Sequence, residues 1–186
     1  MTTLHRSTAR VSSVNRAAEH KLSKLPVAEI ALVTGEGVVG DAHRGEAVKH
    51  RSRVKQNAAL PNLRQVHLLH LELLEELRVA GFRVAAGTIG ENITTSGLDL
   101  LALPEGSILV IGSEVKLEVT GLRNPCSQLD AYQKGLMAAV LGRTADGALV
   151  RKSGIMSVVL RGGTIRAGDA IAVEYPLAPH RPLQPV

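Results

Sequence analysis

The sequence predicts a mainly β protein, α+β by count, with at least two helices set around a strand-rich body. Two observations carry that expectation. Apolar runs are short and punctuated by glycines, of which the chain has 18, and that pattern belongs to barrels and sandwiches. Strands and helices do not alternate strictly, as a doubly wound parallel sheet would require. At 186 residues the chain is long enough to bury one core without staples. That core must be built from Leu, Val, Ile and Ala, because there is no Trp, one Phe and two Tyr.

Taken in order, residues 9–15 read as a first strand carrying Val11 and Val14. Residues 30–34 form a compact apolar run closed by Gly35 and Gly37, and residues 65–69 follow Pro61-Asn62 as another strand. Over residues 68–80, Leu71, Leu74 and Leu77 recur at helical spacing, with Gly81 as the stop. Residues 108–111 and 115–120 flank Gly112-Ser113 as a hairpin. A second helix is expected over residues 129–141, with Leu129, Tyr132, Leu136, Ala139 and Val140 on one side and Gly142 beyond its end. Residues 155–160 precede Gly162-Gly163, and residues 170–174 follow Gly168-Asp169. The chain thus divides into a tail at 1–8, one domain over 9–175 and a proline-spaced tail at 176–186. The last is expected to be extended and poorly packed.

Charge and composition narrow the function. The net charge is +5, which favours anionic partners. The most basic stretch, residues 49–55 beside His43 and Arg44, reads either as a solvated loop or as an anion-binding rim. Nucleic-acid binding ranks last, since the basic residues come with neither stacking aromatics nor a recognition-helix pattern. No apolar run is long enough to span a membrane, and no secretory signal is visible. Cys126 is the only cysteine. It can form no intrachain disulfide and suits a reducing compartment, so a cytoplasmic location is expected.

Cys126 lies in Arg123-Asn124-Pro125-Cys126-Ser127-Gln128. Pro125 biases Asn124 away from helix, and Ser127 with Asp130 has the spacing of a capping box ahead of the second helix. A thiol before a helix N-terminus, with an arginine nearby, is biased toward thiolate. The alternative is an inert, buried cysteine, and the polar neighbours argue against it. Gly40-Asp41-Ala42-His43-Arg44-Gly45 is a polar loop in which Asp41 either orients His43 or caps a turn. His43, His67 and Cys126 are metal-ligand types, but no pair has a chelating spacing, so zinc is not predicted. Gly90-Glu91-Asn92-Ile93-Thr94-Thr95-Ser96-Gly97 presents hydroxyls and an amide without the Lys-Ser/Thr ending of a P-loop.

Five segments in order resemble the MOSC domain, the family named after the C-terminal domain of molybdenum-cofactor sulfurase. They are residues 40–45, Arg64-Gln65-Val66-His67-Leu68-Leu69, residues 90–99, Arg123-Asn124-Pro125-Cys126, and Gly162-Gly163-Thr164-Ile165-Arg166-Ala167-Gly168-Asp169. The resemblance implies a distorted closed β-barrel with peripheral helices, as in a standalone bacterial-type member. It also implies a pocket for the molybdenum cofactor (molybdopterin), with Cys126 as the molybdenum ligand. Such a protein would support reduction of an N-oxygenated small molecule, drawing electrons from a separate redox partner. In that reading Asp41 and His43 join Cys126 as catalytic residues, orienting the site or moving a proton. Asn92, Thr94 and Thr95 hold the pterin or its phosphate, and Arg44, Arg51 and Arg53 neutralise the phosphate. His67, Arg123 and Asn124 complete the binding set. The alternative is a non-catalytic carrier of sulfur or of the cofactor, with Cys126 taking persulfide sulfur from a cysteine desulfurase. The stretch Val48-Lys49-His50-Arg51-Ser52-Arg53 departs from the His-Gly-Gly loop common in the family. No lysine stands out in the sequence as a Schiff base, so pyridoxal phosphate is not predicted.

Overall fold

Burial that alternates residue by residue builds the strands. From Val115 to Leu122, Val115, Leu117 and Val119 are buried while Lys116, Glu118 and Thr120 are half-buried. This is the signature of a pleated strand with one face in the core. The computed structural model describes residues 8–45 and 61–186. Its strands are β1 (Arg10–Arg16), β2 (Leu25–Val27), β3 (Glu29–Val33), β4 (Gly37–Val38), β5 (Val66–His70), β6 (Ile93–Ser96), β7 (Ile108–Ile111) and β8 (Val115–Leu122). They continue with β9 (Leu141–Arg143), β10 (Leu149–Arg151), β11 (Ile155–Arg161), β12 (Gly163–Arg166) and β13 (Ile171–Glu174). The helices are α1 (Leu71–Val79), α2 (Gln128–Tyr132) and α3 (Leu136–Ala139). No helix among the described residues is long and apolar enough to cross a membrane.

Eight strands pair in the order β13-β7-β8-β11-β5-β6-β1-β2, with β12-β3-β4 and β10-β9 as smaller sheets. β5 and β6 are parallel, with α1 in the crossover between them. The mainly β class follows. The strand pairing does not itself form the closed barrel that the resemblance implied. The large sheet is open in strand order, and its far strand returns to β1 only at one bridge, Arg10 with Ala170. Three backbone hydrogen bonds support that meeting: Val11 N to Asp169 O at 2.9 Å, Gly168 N to Val11 O at 2.8 Å, and Ile171 N to Ala9 O at 2.9 Å.

Two apolar clusters result. The larger fills the sheets with Val11, Ile30, Leu68, Ile93, Leu117, Ile155 and their neighbours. The smaller gathers Leu69, Leu73, Leu74 and Leu77 against Val84, Ile89, Leu129 and Leu136. The period of β5 splits its side chains between them: Val66 and Leu68 enter the first cluster and Leu69 the second. His67 faces away from the first cluster toward a pocket.

Three sequence expectations change in the structure. The second helix breaks into α2 and α3, because Gly135 takes a left-handed φ of 88° and the chain from Leu141 joins β9. Ser127 is therefore not a capping residue; its backbone is helical and its side chain makes no cap bond. Asp130 instead accepts from Met137 N at 2.8 Å, serving the first turn of α3. The C-terminal segment packs rather than trailing. Leu183 is buried in the larger cluster, and the segment is tied to β8 by Leu122 N–H donating to Gln184 O and Val186 N–H donating to Leu122 O.

Leu183→Ala is expected to lower unfolding free energy in urea by about 2–4 kcal/mol, the range for truncating a buried leucine. Leu177→Ala, at a side chain 95% exposed, should change it by less than about 0.5 kcal/mol.

Candidate functional site

The polar residues that the fold buries converge beside one pocket. Lys24, on the approach to β2, is pinned by its backbone N–H to Gly87 O at 2.8 Å. The approach is so close that a Cβ on Gly87, whose φ is 82°, would collide with Lys24 O. The Lys24 ammonium then reaches Asp41 Oδ2 at 2.7 Å, and both side chains are at most 3% exposed. Asp41 is over-determined. Its Oδ2 also accepts from Asn92 Nδ2 at 3.0 Å, and its Oδ1 accepts from His43 N at 3.0 Å and lies 3.2 Å from His43 Nδ1. The two roles left open for Asp41 are thus both filled, since it orients His43 and closes the turn after Gly40.

Asn92 is the joint between layers. Its amide donates to Asp41 and to Asn15 O, its Oδ1 accepts from His67 N, and its backbone bonds Asn15 N and His67 O. His67 Nε2–H donates to Ser153 O at 2.7 Å. Ser153 Oγ in turn donates to Arg123 O at 2.6 Å, and Arg123 N donates to Gly154 O at 2.9 Å. This chain of bonds holds the turn that carries Cys126. Gly154 admits no side chain, because a Cβ there would strike Leu68 O.

The pocket is partly open to solvent, with a cavity volume of about 60 Å³. Lys21, Lys24, His43, Arg64, His67 and Arg123 line it with Leu22, Ile89, Gly90, Asn92, Gln128 and Met156, and no Asp or Glu is among these residues. Burial lowers the pKa of Lys24, although the charge of Asp41 works against that. Burial would raise Asp41, but the His43 bonds and the Lys24 charge prevail and hold its carboxyl far below the usual range. Burial pushes His67 down to about 3, with the charge of Arg123 adding to the effect, so its imidazole is neutral. Glu91, fully buried behind Asn92, is pushed up to about 7 by burial, although Gly87 N–H and the Thr94 hydroxyl bond its Oε1. Its Oε2 has no partner among the described residues.

The sequence-derived residues separate into groups. His43, His67, Asn92 and Arg123 line the pocket, and Asp41 stands directly behind it. Cys126 is half-buried and does not itself line the pocket; its thiol is directed at Gln128 Oε1 3.7 Å away, and Gln128 is a pocket residue. Thr94 is turned inward to Glu91 and Asn15, and Thr95 is buried. Arg44 is not in the wall; its guanidinium pairs with Glu36 Oε2 at 2.7 Å. Asn124 accepts from Arg151 outside the pocket. Arg51 and Arg53 lie outside the described residues. Sequence reasoning missed Lys21, Lys24, Arg64, Gln128 and Met156 as wall residues, together with Leu22 and Ile89. Only tertiary structure buries Lys24, and a lone lysine between short strands carries no local signal.

The chain matches the sequence profile of the MOSC domain over residues 55–172. No curated protein matches it. Among solved structures it is similar to the YuaD protein of Bacillus subtilis, with 25% identity and a TM-score of 0.75, covering 94% of this chain and all of that one. It is also similar in fold to YiiM of Geobacillus stearothermophilus, at 21% identity and a TM-score of 0.62 over 89% of this chain and 75% of that one. YiiM of Escherichia coli gives 19% identity and a TM-score of 0.60 over 95% and 73%.

Asp41→Asn leaves Lys24 buried without its counter-charge, and urea unfolding should show a loss of about 3–5 kcal/mol. Glu91 makes a pH test. Its carboxyl titrates at about 7 when folded against 4.5 as a free group. Between those values the folded chain keeps a proton that the unfolded chain has released, so the contribution of Glu91 to stability falls as pH rises. His67, at about 3 against 6.5, contributes the opposite slope below 6.5. The quantity to measure is therefore the stability of wild type minus that of Glu91→Gln. It is expected to decline by on the order of 3 kcal/mol from about pH 4.5 to 7.

Proposed function

This chain belongs to the MOSC domain family, and from that membership we propose that it binds the molybdenum cofactor, with Cys126 as the metal ligand. In this reading it supports reduction of N-oxygenated small molecules in the cytoplasm, with electrons from a separate redox partner. The observation that carries the proposal is that the one thiol points at Gln128, a residue of a pocket whose described lining holds four lysines and arginines and no carboxylate. An anionic phosphate-bearing group with a thiophilic metal needs both features.

The residues present fit such a group. Arg123 and Lys21 offer charge at the mouth, Arg64 stands in the same wall, and Lys24 lies deeper with its charge balanced by Asp41. Bound there, the cofactor would supply two-electron oxygen-atom transfer. The chain's own contribution is orientation and proton handling. His43, held against Asp41 and 30% exposed, is placed to carry a proton between the pocket and solvent. Asn92 fixes Asp41, so that His43 and Lys24 keep their positions as ligands come and go. Neutral His67 donates outward to Ser153 and acts on the Cys126 turn from beneath rather than as a ligand. Thr94 supports Glu91 and Asn15 instead of a pterin, and phosphate neutralisation passes from Arg44 to the pocket cations.

A second reading draws on the half-exposed position of Cys126. A half-buried thiol is open to a protein partner, which suits a carrier that receives persulfide sulfur from a cysteine desulfurase. Protein made in a molybdenum-cofactor-replete host is expected to contain molybdenum and pterin, and Cys126→Ser should lose at least nine-tenths of the metal by elemental analysis. Absence of metal from the wild type, with one sulfur added to Cys126 by mass after reaction with a desulfurase, would decide for the carrier.

A further inference from the structure

Strands β9 and β10 form a hairpin that is a sheet of its own, joined to neither of the other two. Their register pairs Leu149 with Arg143 and Arg151 with Leu141, which puts these four side chains on one face. The opposite face, with Val150 and Lys152, is turned inward. There Lys152 Nζ reaches Glu76 Oε1 of α1 at 2.5 Å, and Lys152 N–H donates to the backbone of buried Val140 at 2.8 Å. The first face therefore looks away from α1. Arg143 is exposed, Leu149 is 43% exposed, and Leu141 and Arg151 are half-buried.

The two positive charges of this face are not neutralised. Arg143 donates to Gly147 O at 2.8 Å and Arg151 Nε donates to Asn124 Oδ1 at 3.0 Å, both uncharged acceptors. Neither guanidinium enters an ion pair among the described residues. The one carboxylate of the hairpin, Asp146 at its tip, accepts from the Thr144 hydroxyl. Arginine is enriched at protein interfaces and offers carboxylates a planar fork, while the leucines offer apolar area. Asn124, which holds Arg151, stands two residues before Cys126, so whatever covers this face lies beside the thiol.

We propose that the outer face of the β9–β10 hairpin is the docking surface for the protein partner that serves Cys126, and that this partner presents an acidic segment with apolar side chains. Both readings of Cys126 call for a protein partner, and the proposal rests on them for that alone. Carboxylates of the partner meet Arg143 and Arg151, and its apolar side chains meet Leu141 and Leu149. Opposite charges also steer the encounter and make it sensitive to salt.

The test measures how fast Cys126 of the full chain reacts with cysteine peptides activated as thiopyridyl disulfides. The thiolate attacks the peptide sulfur, the S–S bond of the reagent breaks, a disulfide joins Cys126 to the peptide, and thiopyridone leaves with a change in absorbance. At low ionic strength a peptide of glutamates and leucines is expected to react about tenfold faster than one of serines and leucines, an advantage that shrinks in salt. Arg143→Glu should slow the acidic peptide about fivefold, yet leave the reaction with dithiodipyridine, an uncharged reagent that needs no docking, within about twofold of wild type. Arg161→Glu makes the same change in net charge at the far end of β11 and should react as wild type does. Leu149→Ser leaves the charge alone, should slow the acidic peptide about threefold, and serves if Arg143→Glu does not fold.

An acidic peptide no faster than the serine peptide would overturn the proposal. So would equal slowing in the Arg143 and Arg161 variants, which means attraction by net charge alone, or unchanged rates in both hairpin variants. A dimer in sedimentation that Arg143→Glu dissociates would give the face to a second copy and overturn the acidic partner. The readings of Cys126 fail separately: wild type with neither molybdenum nor accepted sulfur overturns them, while rates that depend on Arg143 and Leu149 still uphold the docking face.

Discussion

The site depends on one buried ion pair, Lys24 with Asp41. Taking two charges out of water costs several kcal/mol per ion, and their attraction offsets that only where the remaining lone pairs and protons are also satisfied. Here they are, because Asn92, His43 and Ala17 all donate to the same carboxylate. The requirement couples segments far apart in sequence: the stretch after β1, the loop at 40–45 and the approach to β6 must arrive together. Without Asp41 there is no stable seat for Lys24, and without Asn92 the carboxylate loses the bond that joins it to β5.

That coupling also explains the charge of the pocket. One of its cations is neutralised from behind, which leaves the others to set the potential at the mouth. Low solvent access strengthens every such interaction. A neutral His67 fits this arrangement better than a charged one, since its proton serves Ser153 and the Cys126 turn beyond it.

The strands were legible because short apolar runs closed by glycines are a local signal. The hairpin around Gly112 and the apolar runs at β3, β7, β8 and β11 stand within a residue or two of where those runs placed them. The site was legible only in part. Asp41, His43, Asn92, Arg123 and Cys126 sit in glycine- or proline-marked turns whose polarity sets them apart, whereas His67 lies within β5 and is singled out only by the motif around it. Arg44 carries the same local signal but is taken by Glu36, a competition that spacing does not reveal. The break at Gly135 was hidden because apolar spacing continues on both sides of it. The burial of Leu183 was hidden because prolines signal an extended chain and say nothing of what it lies against. Lys24 was least legible, as its burial depends on partners at positions 41 and 87.

The bridge between Arg10 and Ala170 bears on how the protein is made. β1 leaves the ribosome early, yet it pairs with β6 at Ile93–Ser96 and meets backbone at residues 168–171. At roughly 5–20 residues per second its edge waits on the order of 10–30 s for the last of these partners. In that interval β2 and β6 become available to β1, but its start near Arg10 still lacks the backbone of residues 168–171 and is open to wrong pairing. The two serines of β1, Ser12 and Ser13, then interrupt what would otherwise be a sticky run between Val11 and Val14.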